Sequence, residues 1–146
     1  MSCILHDPCP TPNSLTHQQQ TLFKDKTRHE GLSKAESSLL IQIRTGDIGL
    51  RDFLFKRKVP EVLTPYCECG EGRETAEHLV VSCLAPPLIR RWETTKIRTR
   101  RGFYSVLQGG IPPVARLARR ILGWLMDSGR LPIYSLARKL ELELAV

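Results

Sequence analysis

No apolar run in this chain of 146 residues approaches the roughly 20 needed to cross a bilayer as a helix, and no charged stretch followed by an apolar core opens it. The expectation is an intracellular protein of the nucleus or cytoplasm, not secreted and without a membrane partner. Paired aspartates are missing as well: Asp7, Asp25, Asp47, Asp52 and Asp127 stand singly. Polymerase and nuclease centres hold two divalent ions between converging carboxylates, so an enzyme of that kind is not expected. No alternating apolar pattern of useful length and no internal repeat is found, which leaves a mainly α architecture. The five cysteines are odd in number, and three of them fall between Cys67 and Cys83. A disulfide framework spreads its cysteines, and a Cys67 to Cys69 bridge would close a strained ring, so a reducing compartment fits better.

What is present begins with positive charge. Lys and Arg number 22 against 15 Asp and Glu, for a net charge of +7, which favours phosphate-bearing or acidic partners. Residues 1–26 carry Pro8, Pro10 and Pro12 and then His17, Gln18, Gln19 and Gln20. Such a stretch has little apolar surface to offset the entropy of ordering and reads as a disordered arm. A helical pair is expected over 30–60. Ser33 and Glu36 have capping-box spacing ahead of Leu39 and Ile43, Gly46 sits at a C-cap position, and Asp47 is placed to cap a second helix through Leu50, Phe53 and Leu54. Lys56, Arg57 and Lys58 suit its last turn, and Pro60 stops it.

Residues 87–146 read as C-terminal helices. Pro86 and Pro87 precede a helix expected to carry Leu88, Ile89, Trp92 and Ile97. Pro112 and Pro113 start another, with Val114, Leu117, Ile121, Leu122 and Leu125 in one stripe, ended by Ser128 and Gly129. A last helix begins near Pro132, with Ile133, Leu136, Leu140 and Leu144 in register.

Between these blocks, over 61–86, lies the pattern Cys67-x-Cys69-Gly70, then His78, then Cys83. Two thiolates one residue apart can face one ion from a tight turn, and Gly70 supplies the backbone freedom that turn needs. Thr75 is an N-cap for a short helix carrying His78. Five residues on, Cys83 would stand roughly 140° around an ideal helix from His78, so it must lie past the helix end or in a distorted final turn. Four protein ligands leave no open position, so Zn²⁺ here would be a structural cofactor with no small-molecule substrate. The alternative is three partly buried thiols and an unrelated histidine. A second trio, Cys3, His6 and Cys9, lacks a fourth ligand.

The run Lys34-Ala35-Glu36-Ser37-Ser38-Leu39-Leu40-Ile41-Gln42-Ile43-Arg44-Thr45-Gly46-Asp47, then Phe53-Leu54, Cys67-Glu68-Cys69-Gly70, Glu74-Thr75-Ala76-Glu77-His78 and Cys83, resembles the C-terminal region of LINE-type (non-LTR) retrotransposon polyproteins, particularly those of filamentous fungi. The stretch Ile121 to Ala137, which contains Trp124-Leu125-Met126-Asp127-Ser128-Gly129-Arg130-Leu131, is similar to the helical end of the same polyproteins. There this region follows reverse transcriptase and ribonuclease H domains. The resemblance implies a zinc-knuckle-like module, with Cys67, Cys69, His78 and Cys83 as ligands, that helps engage nucleic acid during target-primed reverse transcription. Catalysis is not implied for this stretch.

Arg90, Arg91, Lys96, Arg98, Arg100 and Arg101 form the densest basic stretch, suited to tracking the phosphates of single-stranded RNA or DNA. Its alternative is a solvated helix face. Arg116, Arg119 and Arg120 fall opposite an apolar stripe, where the solvated-face reading is favoured. Three functions are expected in turn: an orphan nucleic-acid-binding module, a zinc-stabilised protein-interaction domain docking through its C-terminal helices, or a retroelement relic with no function.

Overall fold

Ser33 opens the first helix of this computed structural model, which describes residues 29–90, 92 and 97–145. The arm expected over 1–26, with Cys3, His6 and Cys9, lies outside the described residues. The Ser33 hydroxyl accepts from the Glu36 N–H at 3.2 Å, and Gly46 closes helix α1 (Lys34–Thr45) in the left-handed region at φ 80°. Glu36 stands at the capping-box position, but its carboxylate is fully buried and faces Arg119 at 3.4 Å and Arg138 at 3.8 Å.

Helix α2 (Arg51–Lys56) corrects one expectation. Asp47 does not cap it; the residue before the helix is Leu50, without a side-chain cap. Glu74 does the capping from a distant loop. Its carboxylate accepts the Arg51 N–H at 3.2 Å and its carbonyl accepts the Asp52 N–H at 3.3 Å. Of the three cations expected in the last turn, only Lys56 is helical, while Arg57 is the C-cap and Lys58 has φ 58°.

The helix expected over Leu88 to Ile97 is also absent at the positions described. Leu88, Ile89, Arg90, Trp92 and Ile97 have no helical backbone. Tertiary contacts hold Ile89 and Trp92 in place. Trp124 donates its indole N–H to the Ile89 carbonyl at 3.2 Å, and Trp92 packs edge-on to Trp124 with ring centroids 5.3 Å apart.

Helix α3 (Arg100–Leu107) starts instead at Thr99, whose hydroxyl accepts from the Gly102 N–H at 3.0 Å. Helix α4 (Pro112–Asp127) begins at the proline pair and packs against α1, α3 and α5. Contact on several sides explains its burial: Ile121, Leu122 and Leu125 are buried as the stripe requires, and so are Ala118, Gly123, Trp124 and Met126. Leu39, Leu40, Leu79 and Phe103 complete the centre of the core. Helix α5 (Pro132–Leu144) has the expected register, and its apolar stripe faces outward. Ile133, Leu136, Leu140 and Leu144 are 50–86% exposed, and only Tyr134 turns inward, where its hydroxyl shares a hydrogen bond of 2.9 Å with Ser38. Among the described residues no helix is long and apolar enough to cross a membrane, and the only β pairing is an isolated bridge between Tyr66 and Arg73.

Candidate metal centre

That bridge is the base of a tight loop. The Cys67 N–H donates to the Gly72 carbonyl at 2.8 Å, and the Gly70 N–H returns to the Cys67 carbonyl at 3.0 Å. Gly70 sits at φ 79°, a conformation that a Cβ would strain, so Cys67 and Cys69 are aimed to one side of the loop by a turn that needs glycine. Downstream, the Thr75 hydroxyl accepts the His78 N–H at 3.1 Å and starts a helical turn, as its sequence position predicts.

The turn then widens. Residues His78–Ser82 form a π-helix, closed by the Cys83 N–H donating to the His78 carbonyl at 2.7 Å. This i to i+5 bond resolves the geometric conflict posed by an ideal helix. One extra residue per turn carries Cys83 back over His78, and its extended backbone, φ −60° and ψ 127°, turns its side chain to the same side.

The result brings all four predicted ligand residues together, with ligand atoms within 4.8 Å of one another. Cys67 Sγ and Cys83 Sγ are 3.7 Å apart, and Cys69 Sγ lies 3.2 Å from His78 Nε2. A tetrahedral ion with Zn–S of about 2.3 Å and Zn–N of about 2.0 Å sets ligand edges of roughly 3.8 Å (S to S) and 3.5 Å (S to N). The donor set and spacing therefore fit a metal ion, consistent with zinc. Three thiol sulfurs and one imidazole would fill a tetrahedron from the protein alone, leaving no open position on an ion held there.

The thiols are not equivalent. A hydrogen bond from the Glu71 N–H, helped by His78, lowers the Cys69 thiol from its ordinary 9.0 to about 6. Burial pushes Cys83 up to about 11. In the metal-free protein Cys69 thus favours folding most above pH 9.0, and this is lost as pH falls through about 6. Cys83 acts in the opposite sense: its contribution is present below 9.0 and lost as pH rises through about 11. In the interval after chelation in which circular dichroism still shows the native helices, brief iodoacetamide treatment at pH 7 is expected to label Cys69 well before Cys83, and bound zinc to protect both. Peptide mass mapping checks this, and faster labelling of Cys83 would contradict it.

Surrounding residues hold the loop and the π turn in place. Arg90 donates to the Leu79 carbonyl at 3.1 and 2.9 Å and to the Cys83 carbonyl at 2.8 Å, satisfying acceptors at the end of the π turn. Gly72 leaves room for the imidazole, since a Cβ there would stand 3.3 Å from His78 Nδ1. Arg130 spans two acids, with Nη1 3.2 Å from Glu74 and Nη2 3.1 Å from Glu68, while Arg51 Nη2 lies 2.8 Å from Glu68. Together these pairs fasten the metal loop to α2 and to the α4–α5 turn. Sequence reasoning did not single out Glu74 or Arg130 for this role. No local spacing signals the pair, since 56 residues separate Glu74 from Arg130 in sequence.

The basic stretch is not one surface. Arg90 is committed to the backbone as described, and Arg91 and Lys96 lie outside the described residues. Arg100 pairs with Glu77 at 3.3 Å and stacks over Tyr104 at 5.8 Å, whose hydroxyl donates to Glu77 at 2.6 Å. Arg98 and Arg101 are exposed. Comparison with protein families, with curated proteins and with solved structures finds no match for this chain.

Proposed function

We propose that this chain is a zinc-folded module that binds single-stranded RNA or DNA and has no catalytic activity of its own. The observation that carries this reading is the closed Cys67, Cys69, His78, Cys83 site set into the core of a chain with a net charge of +7. A closed site spends its ion on folding, and the excess of cations is left to meet phosphate. Arg98 and Arg101 supply exposed cations, and Arg100 between them pairs with Glu77, the residue before His78. The resemblance to the tail of retroelement polyproteins supports the same role, in which other domains supply the polymerase and nuclease chemistry. Clustered thiols reduced enough to hold a metal suit an intracellular compartment.

Titration of the zinc-loaded chain with single-stranded RNA at two salt concentrations tests the proposal. Binding is expected at low salt, with affinity falling steeply as salt rises because counterions are released on phosphate contact. Absence of binding at low salt, or binding indifferent to salt, would remove it.

A second reading, a zinc-stabilised protein-interaction domain, is favoured by one feature. The outward stripe of Ile133, Leu136, Leu140 and Leu144 on α5 is an apolar face of the kind that docks on a partner helix.

A further inference from the structure

Most of the aromatic rings described in the protein are used inside it. Trp92, Phe103, Trp124 and Tyr134 are buried, Phe53 is half-buried with the Arg57 guanidinium 5.3 Å over its ring, and Tyr104 is half-buried and bonded to Glu77. The two described rings left exposed are Phe55, at 42%, and Tyr66, at 52%. They belong to one face. Arg51 of α2 donates to the Tyr66 carbonyl at 3.2 Å, and Asp52 of α2 takes Arg73, the bridge partner of Tyr66, at 2.8 Å. At about 100° per residue Phe55 stands one turn further along α2, roughly 40° from Arg51 and 60° from Asp52, and so between them. The side of α2 that meets the Tyr66–Arg73 bridge therefore also carries Phe55.

Cations border these rings. Lys56, Arg57 and Lys58 follow Phe55 directly, and all three are exposed. Lys56 shares the Asp52 carboxylate with Arg73, so that group keeps a cation in excess, and among the described residues Arg57 and Lys58 make no ion pair. Lys58 also stands at φ 58°, the positive φ found at a non-glycine residue among those described. Its N–H donates to the Phe55 carbonyl at 3.0 Å and the Val59 N–H donates to the Leu54 carbonyl at 3.1 Å, the two bonds that close a helix through a left-handed residue. Glycine is the unstrained choice at that corner, yet a lysine is held there. Strain of this kind gathers where a side chain is used.

We infer that this face of α2 and the metal loop is a stacking platform for the unpaired bases of a single strand, with Phe55 and Tyr66 against the bases and Lys56, Arg57 and Lys58 along the phosphates. Every base offers a flat face to an aromatic ring once it is unpaired, so such a platform takes a strand with little regard to its sequence. An anionic membrane also attracts cations and rings. Here, however, the ion pairs of Arg51, Asp52 and Arg73 stand around the rings, and carrying them into lipid is costly, whereas a nucleic acid leaves them in water. The inference rests on the nucleic-acid reading above and assigns it residues other than Arg98 and Arg101.

The zinc-loaded full chain is titrated at several salt concentrations with a fluorescein-labelled single-stranded RNA dodecamer of mixed sequence, with the corresponding duplex, and with vesicles containing phosphatidylserine. The strand is expected to bind more tightly than the duplex. F55A/Y66A is expected to weaken strand binding at least tenfold without changing its salt dependence, because stacking releases no counterions. R57Q/K58Q is expected to weaken it and to flatten the slope of log affinity against log salt by about 1.4, at roughly 0.7 for each phosphate contact on a single strand. K34Q/K139Q, which removes two exposed cations from α1 and α5, is expected to keep affinity within about threefold. Circular dichroism and zinc content verify the fold of each variant. Photocrosslinking of a 5-bromouracil strand to the unaltered chain, mapped by peptide mass, decides the matter even if a variant misfolds, with adducts expected on Phe55 or Tyr66. Strand binding indifferent to F55A/Y66A, adducts confined to other peptides, or a duplex bound as tightly as the strand overturns the platform and leaves the general nucleic-acid reading standing. Vesicles bound in place of the strand, or no strand bound at low salt, ends both.

Discussion

Removing the metal from the loaded protein, or replacing Cys83 by serine, is expected to unfold the metal loop and take much of the core with it. The ligands are not on an appendage. Cys67 and Cys83 are 4% and 3% exposed, and Leu79 and Val80, inside the π turn that carries two of the ligands, are 0% and 1% exposed. Without an ion, three thiols and an imidazole face one another at 3–5 Å with nothing at their centre to tie the loop to the π turn. Structural zinc contributes about 10–16 kcal/mol in small zinc-binding peptides at neutral pH, and even part of that equals the 5–15 kcal/mol by which whole domains are stable. Thermal unfolding followed by circular dichroism, with and without chelator and alongside zinc stoichiometry, measures the effect. An unchanged melting curve in protein shown to be metal-free would end the assignment of this cluster as a structural metal site.

Arg130→Ala is expected to lower stability by about 3 kcal/mol, the usual order when one member of a buried ion pair is removed. Glu74 is 3% exposed and keeps only the Arg51 N–H at 3.2 Å and a distant guanidinium at 3.8 Å when Arg130 is gone. Loss of that pairing also loosens Glu74 as the cap of α2, so two elements are weakened by one change. Arg130→Lys is expected to recover little, because an ammonium cannot fork to Glu74 and Glu68 together as Nη1 and Nη2 do. By contrast Arg73→Ala, whose pairing with Asp52 is half exposed, should leave the urea midpoint almost unmoved. A midpoint for Arg130→Ala within error of the parent would refute the account of Glu74 as a buried anchor.

The two effects share a cause. The loop is short and has one β bridge of its own, so an ion between its ligands would set its shape together with the Glu74–Arg130 clamp outside. That dependence also explains why a cysteine pattern of unusual first spacing forms a site here: Gly70 supplies the turn after Cys69, and the π turn supplies the return of Cys83.

Local chemistry was enough to read the helical class, the Ser33 cap, the glycine at Gly46, the proline start of α4 and the four residues that meet in the candidate metal centre. Each rests on interactions within a few residues, where side-chain type and spacing dictate the backbone. What only the tertiary structure decided is how those pieces face one another. Periodicity identified the stripe of α5 but not that it points outward, because a register does not say which side a neighbour occupies. The same spacing that counts five residues from His78 to Cys83 left their angle open until the i to i+5 bond settled it. Trp124, Glu74 and Arg138 act on segments 23 to more than 100 residues away in sequence, holding Ile89, capping α2 and reaching Glu36. The physical reason is one of range: a cap or a turn is selected by its own neighbours, whereas a buried charge or an indole N–H takes whatever partner the packed core brings to it.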